Sequence, residues 1–284
     1  MKRVAAFVMA FIITVAFCGC SLKGTKKAID NIAQKAGLSN ETGTVVSYKV
    51  NGSEVKNITP ANENNIGRFA DCYYALDDTQ KALYRYFLTA ANERVEGWFS
   101  CGKAGEDFEN DITAAYKAML CDNPQIFWMP SNYVITKVKY NLCVAFCIDD
   151  DETKIDFLLK KDEIDTAAAS LERAVDSVVS EAEAFSSDYE KELFVHDRLC
   201  KNCKYDLSGG DMIYSSYGAL VDGVCVCEGY SRAMQLCLLR MGIDCCLVYG
   251  EFEDVGHMWN KVKLEGSWYN LDITWDPHEK HGAL

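Results

Sequence analysis

The chain has 284 residues, of which 49% are hydrophobic and 25% charged, a composition typical of a globular protein with one large domain or two small ones. Its formal net charge of -13 argues against nucleic acid as a partner, because a protein that binds phosphates needs a basic surface to release counterions. We therefore expect a soluble protein that does not bind nucleic acid.

Residues 1–19 have the layout of an export signal. Two basic residues precede the apolar run 4–17, which is too short for a membrane-spanning helix of about 20 residues. The run ends in Phe-Cys-Gly-Cys, which resembles the lipobox of bacterial lipoproteins. We therefore predict a signal peptide over 1–19 and a lipid on Cys20 that anchors the protein to the extracytoplasmic face of a cell membrane. Phe17 stands where a lipobox usually has Leu, so cleavage without lipidation is the alternative.

The 14 cysteines are interpreted differently if the protein is exported. Disulfides are permitted outside the cytoplasm, yet a domain of this size does not need them and sequence alone does not give their pairing. Several cysteines lie in apolar runs, where cysteine behaves as a small hydrophobe: Cys143, Cys237, Cys245 and Cys246. For most of the cysteines we therefore expect burial.

The first half of the chain predicts a tether and a small α/β unit. Residues 20–66 are polar and suit a tether, and residues 67–184 carry no catalytic constellation of their own. Apolar spacing predicts three helices, over 79–91, 108–121 and 163–184. Two strands are predicted over 132–148 and 153–160, with three aspartates at 149–151 as the turn.

Residues 185–284 predict a second domain of helices followed by strands. Ser187 and Glu190 have the spacing of a capping box, which marks the start of a helix that contains His196 on its surface. A further helix follows within 223–243. Three strands complete the domain, at roughly 245–252, 257–264 and 267–275.

Cys227 is the candidate nucleophile of this domain. In GVCVCEGYSRAMQLCLLRMGI, residues 223–243, the apolar stripe at helical spacing includes Tyr230, and Cys227 projects close to it. Cys225 projects roughly 140° away from Tyr230. Cys227 also lies at the helix start, where unpaired N–H groups and the helix dipole favour an anion. We therefore expect a lowered thiol pKa at Cys227.

His257 and Asp272 are the candidate partners of that thiol. A hairpin turn at 265–266 places Trp259 opposite Asp272, so His257 and Asp272 become diagonal neighbours with Cβ atoms about 7 Å apart. Packed on the helix that begins with Cys227, they would complete a Cys-His-Asp triad. The other face of the hairpin is predicted to be buried: Met258, Val262, Leu264, Tyr269, Leu271, Ile273 and Trp275.

Three stretches carry a resemblance to a known family. VCEGYSRAMQ, GH-x-WN and WYNLDITWDP resemble the transglutaminase-like superfamily of bacterial cysteine enzymes, over roughly residues 190–277. The resemblance implies the roles of nucleophile for Cys227, base for His257 and acid for Asp272. It also implies an α+β fold, a papain/transglutaminase-like core with the cysteine-bearing helix packed on an antiparallel sheet, preceded here by the smaller α/β unit. Cys225, a thiol beside the nucleophile, departs from the family pattern.

The predicted function is that of an extracytoplasmic cysteine enzyme that performs acyl transfer on peptide or protein amides through a thioester, without a cofactor. The backbone N–H of Cys227 is a candidate oxyanion donor. The resemblance leaves open both hydrolysis, which we favour slightly, and protein crosslinking. The alternative from another class is a non-catalytic surface module that binds peptide or cell-wall material.

Other interpretations of the cysteines remain open. Cys200 and Cys203 with Cys225 and Cys227 form two pairs, but the second pair is one residue shorter than a zinc ribbon requires. Cys225 is also a candidate resolving thiol for Cys227, although so short a ring is strained. The tryptophans of the hairpin are predicted to line the core and the cleft: Trp259, Trp268 and Trp275.

Overall fold

The computed structural model describes residues 49–50, 52–103, 107–138, 141–148, 154–252 and 254–276. The predicted signal peptide, Cys20 and much of the predicted tether lie outside the described residues. Within the described ranges, no helix combines the length and the apolar character needed to cross a membrane.

Backbone contacts group the described residues into two units. The N-terminal unit contains 49–122 and 128–161, and the C-terminal unit contains 123–127 and 162–276.

The N-terminal unit combines three helices with a small sheet. The helices are α1 (Asp71–Ala75), α2 (Asp78–Asn92) and α3 (Phe108–Asp122). The strands are β1 (Lys49–Val50), β2 (Ser53–Glu54), β3 (Lys56–Asn57), β4 (Phe99–Lys103), β5 (Asn132–Val138) and β6 (Asn141–Cys147). The last four form one sheet in the order β3-β4-β6-β5, in which only β3 and β4 pair in parallel. The helices predicted over 79–91 and 108–121 are confirmed.

The strand prediction for the N-terminal unit is wrong. Residues 132–148 are not one strand: β5 and β6 pair with each other, from Asn132 opposite Cys147 to Val138 opposite Asn141. A single strand over that range would also exceed the usual limit of about 10 residues. Residues 154–160 form no strand, and the predicted turn at 149–151 lies outside the described residues.

The C-terminal unit contains three long helices and a three-stranded antiparallel sheet. The helices are α4 (Lys161–Ala182), α5 (Asp188–Asn202) and α6 (Cys227–Arg240). The strands are β7 (Lys204–Tyr205), β8 (Val224–Cys225), β9 (Cys245–Phe252), β10 (Val255–Leu264) and β11 (Ser267–Leu271). The sheet order is β11-β10-β9, all antiparallel, while β7 and β8 form a short parallel pair. The predicted capping box at Ser187 and Glu190 is present.

Helix α4 groups with the C-terminal unit, whereas the sequence analysis assigned 163–184 to the N-terminal one. Val178 of α4 lies in the same buried cluster as Val195 of α5 and Met234 of α6. This core therefore begins before residue 185.

The register of the β10–β11 hairpin agrees with its prediction. Pairing runs from Asn260 opposite Leu271 to Leu264 opposite Ser267. Glu265 and Gly266 between the strands both have positive φ, 52° and 83°, as a two-residue hairpin turn requires.

The predicted buried face of this hairpin is only partly right. Met258, Val262, Leu264 and Ile273 are buried, but Tyr269 and Trp275 are 54% and 58% exposed. Tyr269 lies on β11, the outer strand of the sheet, in which Ser267, Trp268, Tyr269 and Asn270 are all exposed, so neither face of this strand is covered. Trp275 is exposed because the chain leaves the strand at Leu271 and forms a 3-10 turn (Ile273–Trp275), which ends the strand alternation.

Candidate functional site

His257 and Asp272 are in direct contact beside the hairpin. Nε2 of His257 lies 2.7 Å from Oδ2 of Asp272, and their side chains are 11% and 25% exposed. The other carboxylate oxygen of Asp272 accepts a hydrogen bond from the Thr274 N–H at 3.1 Å, which caps the 3-10 turn. Both oxygens of Asp272 are therefore held, and one of them faces the imidazole.

Two tryptophans flank the His257 ring. Trp259 stacks on it, with centroids 5.8 Å apart and planes at 23°, and Trp275 lies at 5.7 Å with a tilt of 54°. The Trp259 Nε1–H donates to Asn270 Oδ1 at 3.3 Å. Trp259 also passes over Gly250, where any Cβ would approach the indole to 2.6 Å. These contacts restrain the plane of the imidazole.

Cys227 is the first residue of α6 and is half-buried. The residue before it, Val226, occupies the N-cap position and offers no side-chain cap. Backbone N–H groups at the start of a helix lack intrahelical partners, so this end of α6 can donate to a sulfur or to an oxyanion.

The pKa of the Cys227 thiol is raised above its usual value, contrary to the expectation from its place at a helix start. Burial is the largest cause, and the charges of Glu228 and Asp272 act in the same direction. Hydrogen bonds from the backbone N–H groups of Met258 and Glu228 lower the pKa but do not compensate for burial. The expectation of a lowered pKa was wrong because apolar periodicity does not show how deeply a helix end is buried.

Helix α6, which carries Cys227, and strand β10, which carries His257, are joined by hydrogen bonds at Met258. The Met258 N–H donates toward the Cys227 sulfur, and Met258 directly follows His257 in β10. Ser231 Oγ lies 2.9 Å from the carbonyl oxygen of Cys227 and 3.0 Å from that of Met258. The first turn of α6 is thereby held against the part of β10 that carries His257.

Asn260 adds a second fastening that the sequence analysis missed. Its Nδ2 donates to the Ser231 carbonyl oxygen at 3.0 Å, and both side chains are buried. The available signal was a polar residue at 260, between Met258 and Val262 on the buried face of a strand. A buried amide in that pattern needs a hydrogen-bond partner across the packing interface.

Gly229 lets the start of α6 pack closely. A Cβ at this position would lie 2.4 Å from the Ile213 carbonyl oxygen and 2.6 Å from Cys225 Cβ. Any other residue would push the first turn of the helix, and Cys227 with it, away from its present place.

The remaining cysteines of the zinc hypothesis point elsewhere. The sulfurs of Cys203 and Cys225 lie 3.3 Å apart, whereas the Cys200 sulfur lies 3.9 Å from Nε2 of His196. In the described part of the chain, no three His, Cys, Asp or Glu side chains converge in a group that could hold a metal ion.

His196 does more than occupy a helix surface. Its Nε2 lies 3.2 Å from Asp276 Oδ2, and its Nδ1 lies 3.0 Å from Asp197 Oδ1. The contact with the Cys200 sulfur, together with these carboxylates, raises the pKa of His196 to about 10 although burial alone would lower it. Since Asp276 ends the 3-10 turn that Asp272 begins, α5 is tied to the turn behind His257.

Residues 176–273 match the family model described as "Transglutaminase-like superfamily". The match contains Cys227, His257 and Asp272. No curated protein matches the chain.

Three solved structures give partial likenesses. A crystal structure of a TGase has 13% identity and a TM-score of 0.35, over 51% of this chain and 44% of that one. A candidate cysteine protease from Cytophaga hutchinsonii has 14% identity and a TM-score of 0.34, over 48% and 52%. The periplasmic domain of TgpA from Pseudomonas aeruginosa has 16% identity and a TM-score of 0.33, over 50% and 58%. The chain thus spans about half the length of the structures it matches.

Proposed function

We propose that residues 176–273, which match the transglutaminase-like family model, belong to a cysteine enzyme that performs acyl transfer on peptide or protein amides. Cys227 is the nucleophile, His257 the general base and Asp272 the residue that orients the imidazole. The observation that carries this proposal is the 2.7 Å contact between His257 and Asp272, beside the Met258 N–H that donates toward the Cys227 sulfur.

The contact with Asp272 assigns separate tasks to the two ring nitrogens of His257. A carboxylate accepts a hydrogen bond, so Nε2 carries the proton and Nδ1 is the nitrogen that can take a proton from the thiol. As the ring becomes an imidazolium, Asp272 stabilises the new charge.

The proposed reaction has two steps. In the first, the Cys227 sulfur attacks the amide carbonyl, the thiol proton passes to His257, and the amine leaves with that proton, so a thioester remains. In the second, water or a primary amine attacks the thioester while His257 takes its proton. The acyl group leaves as a carboxylic acid or a new amide, and His257 returns the proton to the Cys227 sulfur. The Cys227 N–H at the start of α6 would stabilise the oxyanion in both steps.

The raised pKa of Cys227 determines how the thiol is activated. Because burial favours the neutral thiol, His257 must remove the proton as the sulfur attacks, and a resting thiolate is not the starting state. We propose water as the main acceptor. The His257 side chain is only 11% exposed, but Trp275, which flanks the imidazole, is 58% exposed, so water reaches the edge of the site at this tryptophan.

The test offers the full chain a mixture of glutamine-containing peptides, water and a labelled primary amine. We expect amide turnover that Cys227→Ala and His257→Ala each reduce at least about a hundredfold, with hydrolysed peptide as the main product. Cys200→Ser is the matched control and should retain turnover. Turnover that survives Cys227→Ala would contradict the proposed nucleophile.

Iodoacetamide labelling gives an independent reading of the same thiol. Cys72 and Cys246 are the other half-buried cysteines among the described residues and serve as internal references. Although the pKa of the Cys227 thiol is raised, we expect Cys227 to be alkylated faster than both, because His257 can take the thiol proton as the sulfur attacks. His257→Ala should remove that preference. Equal alkylation of the three thiols would favour a binding module over an enzyme.

We further propose that the enzyme acts on the extracytoplasmic face of a membrane, held by lipid on Cys20. This proposal rests on the sequence of residues 1–20 alone. Incorporation of a labelled fatty acid into the full chain in a bacterial host, and its loss in Cys20→Ser, would support it. An unlabelled mature chain would contradict lipidation.

A further inference from the structure

We propose that Cys203 and Cys225 form a disulfide in an oxidising compartment and that this bond fastens the segment leading into the helix that begins at Cys227. Both cysteines are buried, and their sulfurs lie 3.3 Å apart. A disulfide needs the sulfurs about 1.3 Å closer, a shift that small side-chain rotations can supply.

The backbone around the two cysteines is already held in place. Cys203 caps the end of α5, and Cys225 ends β8. Strands β7 and β8 pair beside them, with Tyr205 opposite Cys225, and the Asp206 N–H donates to the Cys225 carbonyl oxygen at 3.1 Å. On the other side, the Tyr230 hydroxyl donates to the Cys203 carbonyl oxygen at 2.7 Å. These hydrogen bonds and the strand pairing therefore hold the backbone at Cys203 and Cys225 in place.

The neighbouring thiols of Cys200 and Cys227 have other partners than Cys203 and Cys225. Cys200 faces His196, and the Cys227 sulfur accepts from the Met258 N–H. A bond between Cys225 and Cys227 would close a strained ring with one residue between the two cysteines. Pairing Cys203 with Cys225 consequently leaves Cys227 as a thiol.

The bond forms by thiol–disulfide exchange with a small-molecule disulfide such as oxidised glutathione. The Cys203 thiolate attacks the oxidant and releases one reduced thiol, and Cys225 then displaces the second, so the pair loses two protons and two electrons. The contact with Cys225 lowers the pKa of Cys203, which favours Cys203 as the first attacker. Because both sulfurs are buried, exchange takes place during folding or during opening of this segment.

The bond would act directly on the position of the nucleophile. It joins the end of α5 to a residue two positions before Cys227 and closes a loop between residues 22 apart. Cys225 also lies under the first turn of α6, where its Cβ is 2.6 Å from the Cβ position that Gly229 leaves empty. A covalent tie at Cys225 therefore limits movement of the helix start and stabilises the fold against the unfolded chain.

The experiment maps the thiols of the full chain after equilibration in glutathione buffer, alkylation under denaturing conditions, proteolysis and mass spectrometry. In oxidised buffer we expect a peptide containing Cys203 linked to one containing Cys225, with alkylated Cys227 on the same fragment. Fragmentation at Val226 distinguishes Cys225 from Cys227. The matched control Cys200→Ser should keep the link, and Cys225→Ser should leave Cys203 alkylated.

Alkylation of both Cys203 and Cys225 in oxidised buffer would overturn the proposal, as would a link between Cys225 and Cys227. This test reads thiols and not turnover, so its outcome is independent of the proposed acyl transfer. It also needs only the wild-type chain if a variant does not fold.

Thermal unfolding tests the fastening. The melting temperature of the wild-type chain should fall by at least about 4 °C on reduction of the disulfide. The double variant Cys203→Ser with Cys225→Ser should lose that part of the redox dependence, and Cys200→Ser should keep it. Equal melting temperatures for the wild-type chain in both buffers would overturn the fastening role.

Discussion

Two histidine–aspartate pairs meet at one short turn, and the surroundings of the two rings differ. Asp272 begins the 3-10 turn Ile273–Trp275 and contacts His257, while Asp276 ends the turn and contacts His196. His257 has a carboxylate at Nε2, whereas His196 has one at each ring nitrogen.

The difference separates a base from a structural cation. Two carboxylates can both be satisfied only if both ring nitrogens donate, so His196 is an imidazolium, in agreement with its pKa of about 10. An imidazolium cannot accept a proton near neutral pH. His257, held by a carboxylate at Nε2 alone, keeps the capacity at Nδ1 that the proposed reaction needs.

The largest effect is expected when the charges of Asp272 and Asp276 are removed separately and the two variants are compared. Asp272→Asn removes the charge that orients and stabilises the imidazole of His257, and we expect kcat/KM for amide turnover to fall at least about a hundredfold. Asp276→Asn removes the same charge from the same turn but faces His196, and we expect a change below about threefold. Steady-state kinetics of both variants on one peptide provide the measurement. Equal losses would mean that the two pairs share one role.

The contact between His257 and Asp272 could be predicted from the sequence because the residues that determine it are close together in the chain. Glu265 and Gly266 set the hairpin register, and residues 260–264 with 267–271 then pair as alternation predicts. The end of β11 at Leu271 was not predicted, because the capping bond of Asp272 to Thr274 competes with continued strand pairing. The contact with His257 survives since both side chains are long enough to bridge the shift.

The second pair lay beyond sequence reasoning. His196 and Asp276 are 80 residues apart, and no periodicity links a helix surface to a turn at that distance. The same limit applies to Cys203 and Cys225, which come into contact through the β7–β8 pairing and the end of α5. The raised pKa of Cys227 was missed for a related reason, because its cause is burial by packed elements.

A smaller effect is expected from the cation of the second pair, and it depends on pH. The groups facing His196 are Glu192, Asp197, Cys200 and Asp276. The pKa of His196 is about 10 in the folded protein against 6.5 ordinarily, so its stabilising contribution is complete below pH 6.5 and is lost as pH rises through 10. His196→Gln should therefore lower the free energy of unfolding by about 1–2 kcal/mol at pH 6 and by less at pH 10.

Urea denaturation in reducing buffer at both pH values measures this difference. Lys201→Gln is the matched control, because it removes a positive charge from the same helix at an exposed position. Its effect should stay below about 0.5 kcal/mol at either pH. A loss in His196→Gln that is the same at pH 6 and pH 10 would show that the ring contributes packing and not charge.

The smallest expected effect concerns the Cys227 thiol. As with the two histidine rings, a neighbouring charge influences whether this group is protonated. Glu228 follows Cys227, forms an ion pair with Arg232 at 2.8 Å, and its charge raises the pKa of the thiol after the larger contribution of burial. In Glu228→Gln the pKa of Cys227 should fall, and the pH profile of its alkylation by iodoacetamide should shift to lower pH, because the thiolate is the reacting form. Asp276→Asn should leave the profile in place, since Asp276 faces His196. A profile that moves upward in Glu228→Gln would contradict the assigned effect of the Glu228 charge on the pKa of the Cys227 thiol.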